Sequence, residues 1–214
     1  MKAPHLRRPY SVCVIDIGSP KLGNLGWSFI DIKTAKEEHG VCLDTLIELI
    51  VKKMKSHALV LGLEAPLFIP IRQDLMLSTK ARKGEGRRPW SAGAGAQVLA
   101  INLPIMSYLF SRLKEATFII KPDDFSTKRS EILLFEALVS GKDKGSSHIQ
   151  DAQIMARYCA SFSKRKMLPP TILEEEMNTD FLNLAAAALL QSGCIQDVDL
   201  LSSPSPIYKP TTVS

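Results

Sequence analysis

An α/β domain with a mixed central sheet flanked by helices is the fold class that this sequence predicts. Three observations carry that expectation. A Val- and Ile-rich run at residues 10–17 is followed, after a turn rich in Gly and Pro, by a second run at residues 27–32, which reads as a β-hairpin. A nearly continuous apolar run at residues 58–63 reads as a strand covered on both faces, the habit of strands in parallel sheets. Beyond it, stretches of helical period alternate with further apolar runs at residues 117–121 and 132–138.

Residues 1–9 are a basic leader carrying Lys2, Arg7 and Arg8, and the domain itself is expected over residues 10–196. The first strand ends on Asp16-Ile17-Gly18, and residues 18–26 are turn material before the second strand. Leu46, Ile47, Ile50, Val51 and Met54 recur at helical spacing, which predicts a helix over residues 44–56 with Asp44 as its N-cap and Lys52, Lys53 and Lys55 on the wet side. The strand at 58–63 runs into Glu64-Ala65-Pro66, where proline ends it. Residues from about 72 to 95 are basic and Gly-rich with weak periodicity, a long loop or insertion.

A helix is expected over residues 95–115 despite Pro104, and an amphipathic one over 147–164 with His148 and Asp151 in its first turn. The alanine-rich stretch at 181–191 predicts a last helix stopped by Gly193. Residues 197–214, rich in Ser and Pro, read as a loosely held tail.

With 214 residues, 45% hydrophobic and 23% charged, the composition is that of one globular domain and excludes a disordered chain. The net charge of +5 and a pI near 9.0 suit a polyanionic partner, and equally a solvated basic surface. Cys13, Cys42, Cys159 and Cys194 lack zinc-ligand spacing and read as reduced thiols. Neither a secretory h-region nor a membrane span is recognisable, so a cytoplasmic location and no membrane partner are expected.

Chemistry concentrates in the acids. Asp16 closes a buried strand, where an unpartnered carboxylate is costly; a metal ion or an Asx turn with the following glycine would each satisfy it. Glu64 closes a second strand, and two converging carboxylates repel unless a cation lies between them; a salt bridge to a nearby Lys or Arg is the alternative for Glu64. His148 and Asp151, three residues apart, share a helix face.

Taken in order, a strand-end Asp before a glycine-containing hairpin, a central-strand Glu and a His-x-x-Asp-Ala helix resemble the RuvC-type branch of the ribonuclease-H-like superfamily. A closer resemblance, spanning roughly residues 10–195, is to an uncharacterised family of predicted ribonuclease-H-like nucleases. Val14-Ile-Asp-Ile-Gly18, Gly62-Leu-Glu-Ala-Pro66, Phe135-Glu-Ala-Leu-Val139 and His148-Ile-Gln-Asp-Ala152 carry it. The resemblance implies a divalent-metal-dependent nuclease in which Asp16, Glu64 and Asp151 hold Mg²⁺ or Mn²⁺ and His148 assists. Glu136 is a fourth candidate acid, with a structural salt bridge as an equal alternative. Relatives often place an acidic pair where this chain reads Asp180-Phe-Leu-Asn183.

On that reading, two ions would activate water and stabilise the leaving oxygen of a phosphodiester. Lys80, Arg82, Lys83, Arg87 and Arg88 would hold a nucleic-acid backbone, DNA or RNA, and Trp90 would stack on a base. Two other classes stay open. Asp16-x-Gly18 and Gly23 also resemble the first phosphate loop of actin-like ATP-binding phosphotransferases, though a second such loop is lacking. A non-catalytic nucleic-acid or protein-binding module would keep the same fold.

Overall fold

The computed structural model describes residues 6–83, 85, 89–139, 144–174 and 179–210. Its elements run β1 (Ser11–Asp16), β2 (Gly26–Ile30), β3 (Glu37–Gly40), α1 (Leu43–Met54), β4 (Leu59–Glu64), β5 (Phe68–Arg72), α2 (Ala94–Arg112), β6 (Thr117–Ile119), β7 (Glu131–Ala137), α3 (His148–Ser163), β8 (Thr179–Asn183), α4 (Leu184–Gln191) and β9 (Ile207–Tyr208). The central sheet has the order β3-β2-β1-β4-β7-β6, with β9 also pairing β7. It is mixed: β1, β2 and β3 are antiparallel neighbours, whereas β1, β4, β7, β6 and β9 pair in parallel.

Strand periodicity builds two cores, one on each face. Cys13 and Ile15 of β1 join Leu61 and Leu63 of β4 and Leu134 of β7 under α1, α2 and α4. Val12, Val14, Val60, Leu133 and Phe135 point to the other face, where α3 lays down Ala152, Met155, Ala156 and Cys159. Small residues on α3 let it lie close to the sheet. α2 is the one helix among the described residues with the length and apolarity to cross a membrane, yet Ile105, Met106, Leu109 and Phe110 are buried against α4 and the sheet.

The α/β class and the mixed sheet with flanking helices are as expected; several elements differ. Cys42, not Asp44, is the N-cap of α1, and Asp44 in the first turn accepts a hydrogen bond from the Tyr108 hydroxyl at 2.5 Å. The expected helix over 181–191 begins only at Leu184, because residues 179–183 pair with β5 and Asn183 caps α4 by accepting from Ala186 N at 2.8 Å. β3 and β5 were not expected: β3 is Glu-Glu-His-Gly, with no apolar side chain, and β5 contains Pro70, which an edge strand tolerates.

Residues 198–208 of the expected tail are not loosely held, and residues 211–214 lie outside the described residues. A 3₁₀ turn at Val198–Ser202 leads to β9, Ile207 and Tyr208 are buried, and the Asn183 side-chain amide donates to Ser203 O at 2.6 Å. Its polar composition hides two residues that complete the core. The leader is likewise anchored at its end, with Leu6 buried and its N–H on Lys166 O.

Candidate metal centre

Parallel pairing fixes the first two acids. β1 and β4 are in register from Ser11↔Leu59 to Asp16↔Glu64, so both strands present a carboxylate at the same end of the sheet. Adjacent strands lie about 4.8 Å apart, which brings those residues together without any loop contribution. The third acid comes from α3, which starts at the same sheet end. Ser147 caps that helix, accepting from Gln150 N, and Asp151 falls one turn in.

Gly26 makes the approach possible. It pairs with Asp16 across β1 and β2, and a Cβ there would meet the backbone C of His148 and N of Ile149 at 2.4 Å. The first turn of α3 therefore rests on a bare strand backbone beside Asp16. This places His148 Nδ1 2.8 Å from Asp16 Oδ2. Asp151 Oδ1 accepts from Gly145 N at 2.5 Å, which orients the carboxylate.

The outcome is a cluster in which one ligand oxygen from each of Asp16, Glu64 and Asp151 lies within 4.8 Å of the other two. Asp16 and Asp151 are buried and Glu64 is nearly so. Among the described residues, Asp16 Oδ2 and Glu64 Oε2 are buried and, apart from the His148 Nδ1 contact to Asp16 at 2.8 Å, without a hydrogen-bond partner. Three hard oxygens converging, from carboxylates of which two also bury a partnerless oxygen, form a donor set that fits a divalent cation.

Burial pushes the Asp16 carboxyl up to about 6 against the opposing pull of His148, and pushes Glu64 up to about 9, with the neighbouring charge of Asp16 adding to it. A backbone hydrogen bond from Val139 and the ammonium of Lys144 work the other way on Glu64. Lys144 is the cation that sequence reasoning missed: its Nζ lies 3.9 Å from Glu64 and 3.6 Å from Asp151. Nothing in the local sequence marks it, because it precedes α3 in a Gly- and Lys-rich connection.

Other expected site residues lie elsewhere. Glu136 is not a fourth acid of the cluster: it sits 3% exposed, accepts both guanidinium nitrogens of Arg82, and receives Leu67 N at 3.1 Å. The same contacts correct the expectation for Arg82, which is 2% exposed, packs over the Phe68 ring and also pairs with Glu85 at 2.9 Å. A guanidinium so enclosed is not free to hold a phosphate backbone. Lys80 is exposed, Lys83 is exposed and pairs with Glu174 at 3.2 Å, and the Trp90 indole N–H is buried without a hydrogen-bond partner. Arg87 and Arg88 lie outside the described residues. Asp180 is exposed on β8, paired in register with Ile71, and does not belong to the acidic cluster.

Fold and site together define an α/β protein with a buried three-carboxylate cluster at the carboxyl ends of its parallel strands. No protein-family model, no curated protein and no solved structure matches the chain.

Proposed function

We propose that this protein is a divalent-metal-dependent nuclease with a ribonuclease-H-like fold, hydrolysing phosphodiester bonds, and that Asp16, Glu64 and Asp151 hold Mg²⁺ or Mn²⁺. The observation that carries this reading is the convergence of three carboxylates from two registered strand ends and one helix, within 4.8 Å, with buried oxygens left unsatisfied. The mixed sheet opening on a hairpin is in keeping with the resemblance carried by Val14–Gly18, Gly62–Pro66 and His148–Ala152.

Bound there, divalent ions supply the positive charge that acidifies an attacking water and stabilises a leaving oxygen. The protein's own groups prepare for this. Burial raises the Asp16 and Glu64 carboxyls, so a cation held between them would favour their ionised forms and displace protons. His148 is 42% exposed at its side chain while touching Asp16, so its ring can face both the cluster and solvent. Lys144, half exposed, lies against Glu64 and Asp151 and offsets part of their charge.

The test is cleavage of labelled DNA and RNA, as single strands, duplexes and branched junctions, in Mg²⁺ or Mn²⁺, beside an Asp16→Asn variant and an ATPase assay. Metal-dependent cleavage that Asp16→Asn abolishes supports the reading. ATP turnover without cleavage of any substrate overturns it.

A further inference from the structure

The opposite end of the sheet carries a second concentration of charge, of the other sign. Arg8 and Pro9 precede β1, His57 and Ala58 precede β4, Thr127 and Arg129 precede β7, and Ile32 and Lys33 follow the antiparallel β2. All four segments therefore meet at the end where the parallel strands begin, roughly 17 Å of strand away from the acids at about 3.3 Å per residue. There they line a cavity of about 340 Å³, which shares Arg8, Thr127 and Arg129 with a neighbouring open hollow of about 530 Å³ lined also by Arg7 and Lys128.

Among the described residues, none of Arg7, Arg8, Lys128 and Arg129 forms an ion pair with a carboxylate. The two nearby acids are committed elsewhere. Glu131 is spent inside its own loop, accepting from Ser126 N, Ser126 Oγ and Lys128 N at 2.7–3.0 Å. Asp31 accepts from the Lys53 ammonium at 2.5 Å and from the backbone N–H groups of Lys33 and Thr34.

Two independent features show construction. The His57 side chain is 8% exposed and lines the cavity; its Nδ1 lies 2.7 Å from Ser56 Oγ, while its Nε2 is buried with no hydrogen-bond partner and 3.9 Å from Asp31. Such an atom is costly to leave unsatisfied. The loop that supplies Thr127 and Arg129 holds Thr127 at φ 60° and Ser130 at φ 63°, conformations that a non-glycine residue keeps only when its surroundings impose them. Arg8 N donates to Thr127 Oγ1 at 3.2 Å, tying the leader to that loop so that the cations share one hollow.

We propose that this hollow is a second binding site, for a compact phosphorylated ligand of the class of inorganic pyrophosphate and nucleoside polyphosphates. Arg8 and Arg129 would grip phosphoryl oxygens from the two sides that their loops occupy, Arg7, Lys33 and Lys128 would add field, and His57 would line the cavity wall. The concave shape and a volume within the about 300–1,000 Å³ range of small-molecule sites favour a small ligand over an extended strand. The inference is independent of the metal centre.

The experiment is thermal unfolding and calorimetric titration of the full chain with inorganic pyrophosphate, at low salt, in EDTA, with sodium chloride at matched ionic strength as the control. Pyrophosphate is expected to raise the Tm. Arg8→Ala combined with Arg129→Ala, both exposed positions that leave folding intact, should weaken binding by at least about tenfold, as loss of charge-assisted hydrogen bonds does. His57→Gln should weaken it less, and Asp16→Asn should leave it unchanged. No binding by the wild type, equal binding by the double arginine variant, or loss of binding in Asp16→Asn would each overturn the proposal. So would a single-stranded oligonucleotide that needs both arginines but is not displaced by pyrophosphate, which would assign the hollow to a nucleic-acid backbone.

Discussion

Asp16 and Glu64 are the residues at which burial and charge are most at odds. Each has a carboxyl raised above its ordinary value, to about 6 and about 9, chiefly because ionisation inside the sheet end is poorly solvated. An acid whose folded pKa is raised binds protons on folding, so its effect on stability is neutral below the unfolded pKa and grows unfavourable as pH climbs towards the folded one. The metal-free protein should therefore lose stability between about pH 4 and pH 9. Thermal melts across that range, in EDTA, should show a falling Tm that added Mn²⁺ flattens; a flat profile without metal would count against the buried cluster. Asp16→Asn removes one ionisable group and its repulsion of Glu64. At pH 8 it should raise the metal-free Tm by about 2–4 °C, corresponding to about 1 kcal/mol in a chain of this size, and erase the increment from Mn²⁺.

At the scale of elements, the site depends on how closely α3 sits on β2. Gly26→Ala would set a methyl group 2.4 Å from the His148 and Ile149 backbone, and backbone cannot turn aside as a side chain can. The helix must shift, carrying His148 and Asp151 away from Asp16. A stability loss of about 1–3 kcal/mol is expected, and a drop in Mn²⁺ affinity with it, measurable by denaturant titration and by calorimetry. Another element-scale link is the Arg82–Glu136 pair, which ties the basic insertion to β7 beneath Leu67. Removing Arg82 leaves the buried Glu136 charge uncompensated, so Arg82→Met should cost about 3–5 kcal/mol in urea unfolding, whereas Glu136→Gln leaves Arg82 paired with Glu85 and should cost less. Because neither residue belongs to the acidic cluster, the surviving folded protein should keep its response to Mn²⁺. Loss of that response with unchanged stability would return Glu136 to the site.

The whole molecule closes on its C-terminal segment. β9 extends β7, and Tyr208 packs its ring 4.9 Å from that of Phe135, which itself fills the space above Gly62 between the two central strands. A chain ending at residue 196 would expose that surface and leave the Asn183 side chain without Ser203 and Ser205. Burying a side chain of this size contributes about 1.5–3 kcal/mol, so losing Ile207 and Tyr208 should destabilise the fold by about 3–6 kcal/mol. Limited proteolysis of the truncated and full chains would show it as a large rise in cleavage; equal resistance would mean that β9 adds little.

Elements with strong patterning were legible in the amino-acid order: β1, β4 and β7 are nearly continuous apolar runs, and the apolar faces of α1 and α3 follow helical spacing. So were the positions of Asp16 and Glu64 at strand ends and of Asp151 on a helix face, because a carboxylate following a buried apolar run stands out against its neighbours. What tertiary structure alone decided was who meets whom. The register Asp16↔Glu64, the seating of α3 on Gly26, and the arrival of Lys144 beside two acids all depend on contacts between segments distant in sequence. Arg82 reads as one more exposed cation in a basic run, yet it is buried, since its partner Glu136 lies 54 residues away. Polar strands such as β3, and β9 in a Ser- and Pro-rich segment, carry no period of their own; they become strands because an existing sheet edge offers hydrogen bonds. Local patterning determines elements through interactions a few residues long, whereas charge pairing and edge pairing act through space and exist only once the chain has folded.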